Sequence, residues 1–190
     1  MVTRSDTFNF VQCENCGAAM VPLPGRSYFY CEYCGSFCFP EPSEDGVIVL
    51  GKSSNVDCPI CSTALSTASV TEVRVLHCPT CRGVLTTQEA FSVVVKLLRA
   101  QASGEPNAVR PVNREELQRE IACPGCGMTM DTHPYYGPGN VVIDNCPRCA
   151  LVWLDSGELA AIRDAPGRDR SRGHDPTYSF IDDLLGRERP

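Results

Sequence analysis

Cysteine spacing constrains this chain more than any other feature. Cys123 and Cys126 form one Cys-x-x-C turn, and after nineteen intervening residues Cys146 and Cys149 form a second. Two such turns at that separation suit a four-cysteine metal site, in which each turn brings two thiolates to one ion about 2.3 Å away. The device occurs twice more. Cys13, Cys16, Cys31 and Cys34 enclose a gap of fourteen, and Cys58, Cys61, Cys78 and Cys81 a gap of sixteen. Twelve of the thirteen cysteines are thereby assigned as structural zinc ligands, one Zn2+ per array, and only Cys38 is left over. Iron fits the same cage. A disulfide scaffold would need an oxidising compartment. The stretch Met1–Asp6 has no apolar core of a signal peptide, and no apolar run is long enough to span a membrane, so the expectation is a cytoplasmic metal protein.

Arrays of this length cannot close an oily core alone, and a structural zinc supplies on the order of 10–16 kcal/mol of apparent folding free energy. The fold class expected is a small metal-stabilised α+β protein. It has three tandem zinc ribbons, each a β-hairpin, with short helices after the second and around the third. The divisions are ribbon 1 over 1–50, ribbon 2 with its helix over 51–102, and a linker over 103–112. A helix, ribbon 3 and a short closing helix follow over 113–165, then a tail over 166–190.

The formal charge is -6. Each four-thiolate zinc site adds about two negative charges to a count that treats cysteine as neutral, giving about -12 when all three are filled. Residues 1–50 carry -4, 51–110 carry +2, 111–165 carry -4 and the tail 0. Such acidity weighs against nucleic-acid binding, which draws its affinity from Lys and Arg on phosphates.

Along the chain, Thr7–Val11 alternates as a strand, Pro22–Gly25 signals a turn, and Arg26–Tyr30 returns as a strand into Cys31. Gly17 and Gly35 follow their knuckles, where positive φ suits glycine. Eight of fourteen aromatics lie in residues 8–39. They either form a local core or present Tyr28, Tyr30 and Phe39 to a partner. Cys38 reads as a spare thiol, with nothing nearby to activate it. Val47–Leu50 suits a strand that caps ribbon 1 or joins it to the next unit.

In ribbon 2, Val70–Leu76 alternates. His77 abuts Cys78 but reads as a neutral histidine outside a shell already complete with four sulfurs. A helix to about Ala102 follows, capped by Thr86 or Thr87, with Glu89 placed to form a box with Thr86 and an apolar stripe of Phe91, Val94, Val95 and Leu98. Asn113 and Glu116 suggest a helix over 114–121. Asp155 and Glu158 have the spacing of a helix start running to about Asp164, which explains them without catalysis. Trp153 is expected to anchor that helix to its ribbon. In the tail, Phe180, Ile181, Leu184 and Leu185 share one helical face, too short to stand alone, that docks on this chain, another copy or a partner. His133 and His174 have no accompanying ligands.

Cys123-Pro124-x-Cys126-Gly127, Cys146-Pro147-Arg148-Cys149 and Trp153-Leu154-Asp155-x-Gly157-Glu158-Leu159 together resemble the bacterial zinc ribbon classed as the transcription factor IIB type zinc finger. The family's usual two glycines after the last cysteine are here Ala150 and Leu151, a departure that touches the knuckle backbone and not the ligands. Ribbon 2 is similar more loosely, keeping Gly83 but placing Leu85-Thr86-Thr87 where Trp-Leu-Asp would stand. The specific likeness spans 123–160 and the weaker one 58–100. The resemblance implies four-cysteine zinc and a ribbon fold, not a general transcription factor. The function expected is a non-enzymatic protein-interaction or adaptor module. One alternative is nucleic-acid binding, with Arg26, Tyr28 and Tyr30 stacking bases. Another is thiol redox or rubredoxin-like iron chemistry.

Overall fold

The computed structural model describes residues 11–23, 26, 28–102, 107–108 and 110–166. Most of the strand expected at 7–11, the tip of the first turn, half of the linker and the apolar tail face with Phe180, Ile181, Leu184 and Leu185 lie outside them.

Ribbon 1 forms a small antiparallel sheet of β1 (Val21–Pro22), β2 (Phe29–Tyr30) and β3 (Phe37–Cys38), in that order. The rest of the β structure is one seven-stranded sheet. It comprises β4 (Val47–Asp57), β5 (Ala64–Val70), β6 (Val73–His77), β7 (Val84–Thr87), β8 (Asp131–Pro134), β9 (Val142–Cys146) and β10 (Leu151–Leu154), ordered β4-β5-β6-β7-β10-β9-β8. Ribbons 2 and 3 are therefore halves of a single sheet, joined where β10 pairs antiparallel with β7.

β6 comes from an alternating stretch, whereas β7 and β10 at the centre of the sheet are short runs buried on both faces. Val70 and Val73 close the β5–β6 hairpin around Thr71 and Glu72, both at positive φ (48° and 68°), as a two-residue turn matched to strand twist requires. α1 (Gln88–Gln101) starts immediately after β7. Its cap is Thr87, whose hydroxyl accepts from the Ala90 N–H at 3.2 Å, while Thr86 stays in the strand and is buried. The stripe of Phe91, Val94, Val95 and Leu98 is buried as its spacing predicts.

The helix expected over 114–121 is reduced to a single 3-10 turn, Glu116–Gln118. Asn113 does accept from the Glu115 N–H at 3.0 Å, but Arg119 is already extended (φ -79°, ψ 151°). Two tertiary demands override helix propensity. Ile121 is buried beside Met130, whose N–H bonds its carbonyl, and Arg119 must reach two carboxylates on the sheet.

α2 (Glu158–Asp164) ends where the sequence predicts, but its start differs. Asp155 does not cap it. The cap comes from Asp45, over a hundred residues away, whose carboxylate accepts from the N–H groups of Gly157 (2.7 Å) and Ala160 (2.9 Å). Arg99 closes the other end, donating to the carbonyls of Ile162 and Ala165.

The sheet separates two apolar layers. On one face α1 and α2 pack over Val75, Val84, Ile143, Val152 and Leu154. On the other face lie the cysteines of ribbons 2 and 3, with Leu65, Leu85, Ile121, Met130 and Trp153. Trp153 is fully buried in that second layer. It bridges the two cysteine arrays instead of anchoring α2, because alternation along β10 turns Val152 and Leu154, not Trp153, toward the helices. A third, smaller core holds Cys13, Met20, Phe29, Cys31 and Leu50 with Ile48 against it, so β4 both covers ribbon 1 and joins it to the large sheet.

Candidate metal centres

Each cage is built from two knuckles with a shared local geometry. The residue before the first cysteine pairs with the residue six after it: Gln12 with Ala19, Asp57 with Ala64, and Ala122 with Thr129. The first cysteine's carbonyl then accepts from the N–H of the residue four on, as in Gly17 to Cys13 (2.8 Å), Gly35 to Cys31 (2.9 Å) and Arg82 to Cys78 (3.0 Å). That reversal needs positive φ after the second cysteine. Glycine supplies it at Gly17, Gly35 and Gly127 (φ 73–74°), while Ser62, Arg82 and Ala150 adopt it at 56°, 62° and 51°. Ala150 thus takes the backbone conformation that glycine would give, and the family's missing glycine leaves the knuckle intact.

The twelve sequence-assigned ligands come together as three groups: Cys13, Cys16, Cys31 and Cys34; Cys58, Cys61, Cys78 and Cys81; Cys123, Cys126, Cys146 and Cys149. Within each group all sulfurs lie within 4.8 Å of one another. The close cross-knuckle pairs measure 3.5 Å (Cys13–Cys34 and Cys16–Cys31), 3.6 Å (Cys58–Cys81), 3.3 Å (Cys61–Cys78) and 3.7 Å (Cys126–Cys146). A tetrahedron with metal–sulfur bonds of about 2.3 Å has edges of about 3.8 Å. A disulfide would need about 2.05 Å. The sulfurs therefore stand as four ligands around one centre, and the sites are compatible with structural zinc. Knuckle amides point at them: the N–H groups of Ile60, Cys81 and Gly125 donate to Cys58, Cys78 and Cys123 Sγ at 3.4 Å.

Electrostatics give each metal-free cage a low-pKa thiol. The Ser36 hydroxyl, 3.2 Å from Cys34 Sγ, holds that thiol down to about 6. The Thr63 hydroxyl does the same for Cys61, to about 6, and the Cys149 amide lowers Cys146 to about 7. The neighbouring Cys126 pushes Cys149 up to about 12, since adjacent thiolates cannot all ionise without a cation. Metal binding must therefore release protons. The cages differ in exposure. Cys16 and Cys34 of ribbon 1 are exposed, whereas no ligand of the other two is.

Cys38 lies outside the first cage, half-buried on β3. Among the described residues His77 joins none of the ligand groups, and burial lowers its pKa, which favours the neutral ring. Asp155 and Glu158 are both held by hydrogen bonds within the fold. Asp155 accepts from Trp153 Nε1 at 3.1 Å and pairs with Arg119, which also pairs with the fully buried Asp144. Thr132 donates to Asp144 at 2.5 Å. Glu158 accepts from the N–H groups of Asp155 (2.7 Å) and Val142 (3.1 Å). Sequence reasoning missed this network because its members are scattered and only the fold assembles them. Its one local signal is Asp144, directly after the apolar run Val141-Val142-Ile143 and two residues before a knuckle cysteine.

A family model described as transcription factor zinc-finger matches residues 57–87 and 122–165, the second and third ribbons. No curated protein and no solved structure matches the chain. Among the described residues no helix is long and apolar enough to cross a membrane.

Proposed function

Since its second and third ribbons are those of the transcription factor zinc-finger family, we propose that the chain is a cytoplasmic, non-enzymatic interaction module whose three cages each hold one structural Zn2+. The observation that carries this reading is the closure of the cages. Four sulfurs surround each centre, so no coordination position is left for water or substrate, which a catalytic zinc requires. The acidic side chains that looked most like a catalytic pair are held by a tryptophan, an arginine and backbone amides. What the chain offers to the outside is rigid surface, including Tyr33, Phe37, Phe39 and Tyr136, all exposed. The tail face of Phe180, Ile181, Leu184 and Leu185 is proposed as a second handle for a protein partner.

Elemental analysis tests the metal and should return three zinc ions per chain. A stable folded sample without metal, or an iron absorbance band in the visible, would reject the zinc assignment. Affinity capture with and without residues 176–190 tests the adaptor role, which predicts a specific partner lost with the tail. The exposed aromatics of ribbon 1 also suit base stacking. A salt titration against single-stranded DNA and RNA decides that second reading, and no affinity at low salt ends it.

A further inference from the structure

The third strands of the three ribbons are structurally equivalent. Cys38, Leu85 and Trp153 each lie four residues after the last knuckle cysteine. Each also sits opposite the residue two before its knuckle: Cys38 opposite Phe29, Leu85 opposite Leu76, Trp153 opposite Asp144. In ribbons 2 and 3 these strands pair with one another, and Leu85 faces Trp153 directly. Equivalent residues meeting across an antiparallel pair define a two-fold axis, so the chain contains an internal isologous dimer of ribbons.

Among the described residues ribbon 1 has no such mate. β3 has one strand neighbour, β2, and its outer edge is unpaired among the described residues. The face that α1 and α2 cover on the other ribbons is here an open aromatic cluster. Tyr28, Tyr30, Phe37 and Phe39 lie at centroid separations of 5.0–6.4 Å in edge-on, tilted and stacked contacts, with Phe37 53 % and Phe39 70 % exposed. Shortness, a lysine, a proline or a bulge can blunt an exposed edge. β3 is two residues long and is followed by Phe39 and Pro40, with no lysine or bulge within Phe37-Cys38-Phe39, so its edge offers few hydrogen bonds and its aromatic face the larger contact.

We propose that β3 is a homodimer edge. It pairs with β3 of a second copy in the register that β7 and β10 already use. Cys38 then faces Cys38 of the other copy, and Phe37 of each copy faces Phe39 of the other. The occupant is a second copy because the matching strands of ribbons 2 and 3 are consumed by each other. The leftover cysteine gains a place, on the axis, where an unpaired thiol meets its own image. Two symmetric aromatic pairs supply the contact energy that so short a strand lacks in hydrogen bonds. The inference uses Phe37 and Phe39, which the adaptor reading also presents to the outside, while the tail-dependent capture above tests that reading separately.

Sedimentation equilibrium of the metal-loaded full chain should show a reversible monomer–dimer equilibrium. Phe37→Glu should raise the dissociation constant roughly tenfold or more, because a like charge enters the interface twice. Phe39→Glu, outside the strand and mostly exposed, is the control for misfolding and should act alike, with metal content unchanged. In a mixture of isotope-labelled and unlabelled chains, a short bismaleimide should link Cys38 to Cys38 between chains. A metal-loaded chain that stays monomeric at every concentration overturns the proposal, including one whose aromatic face takes up a basic peptide or an oligonucleotide. A dimer that tolerates both substitutions and yields no Cys38–Cys38 link overturns it too.

Discussion

At the knuckles, single residues carry a conformational load that varies from site to site. Left-handed backbone costs a residue with a Cβ about 1–2 kcal/mol. Gly17, Gly35 and Gly127 avoid that cost; Ser62, Arg82 and Ala150 bear it. Ala150 is the cleanest test, because its side chain is a lone methyl. Ala150→Gly should raise stability by about 0.5–1 kcal/mol, the relief of strain less the added entropy of the unfolded glycine. Chemical denaturation of the metal-loaded protein measures it, and a loss of stability would show that the methyl has a packing role. Gly83 is the opposite case. A Cβ there would lie 2.2 Å from the Trp153 ring, so the glycine is required by a residue of another ribbon. This contrast marks what was legible. The twelve ligands and the knuckle glycines are local patterns, fixed by metal geometry within a few residues. The role of Gly83, and the pairing of Arg119 with Asp144 and Asp155, depend on the approach of distant segments.

Among the elements, α2 shows how far a helix of seven residues depends on its neighbours. Asp45 caps one end, Arg99 the other, and Arg163 donates to the Glu44 carbonyl. The Asp-x-x-Glu spacing put the helix start two residues early, though Glu158 does reach back to the Asp155 amide. The cap itself was invisible, because a residue so far along the chain leaves no periodic trace. Glu158 gives this element a pH signature. Burial raises its pKa from 4.5 to about 9 in the folded protein. A raised carboxyl pKa contributes stability fully present below the unfolded value and lost as pH climbs to the folded value. Stability should therefore decline between pH 4.5 and about 9 from this group, by at most about 1.4 kcal/mol per pH unit. Glu158→Gln cannot titrate, but its amide presents an N–H to one of two backbone donors, costing about 1–3 kcal/mol at low pH. The gap between the two proteins, read from unfolding curves, should narrow as pH rises through that window. A constant gap would mean that Glu158 is ionised throughout.

Across the whole molecule, the tandem ribbons, whose arrangement the spacing leaves open, form a paired body plus a lighter unit. Fold class and ligand sets follow from spacing. The fusion of ribbons 2 and 3 does not, since β7 and β10 are equivalent edges that only three-dimensional symmetry brings together. Trp153 sits in that seam, packed with cysteines of both cages, and it is the chain's only tryptophan. Metal removal should therefore be unequal. Ribbon 1, with two exposed ligands, should surrender its ion to a chelator first, and tryptophan fluorescence should not change. The two remaining ions should leave together, with a red shift, because either cage alone leaves half of the Trp153 packing without support. Lower pH should bring both steps to lower chelator concentration, because protons compete for the same thiolates. Released zinc measured against fluorescence in one titration separates the steps. A fluorescence change with the first equivalent, or two distinct changes for the last two, would mean that the seam does not couple the cages.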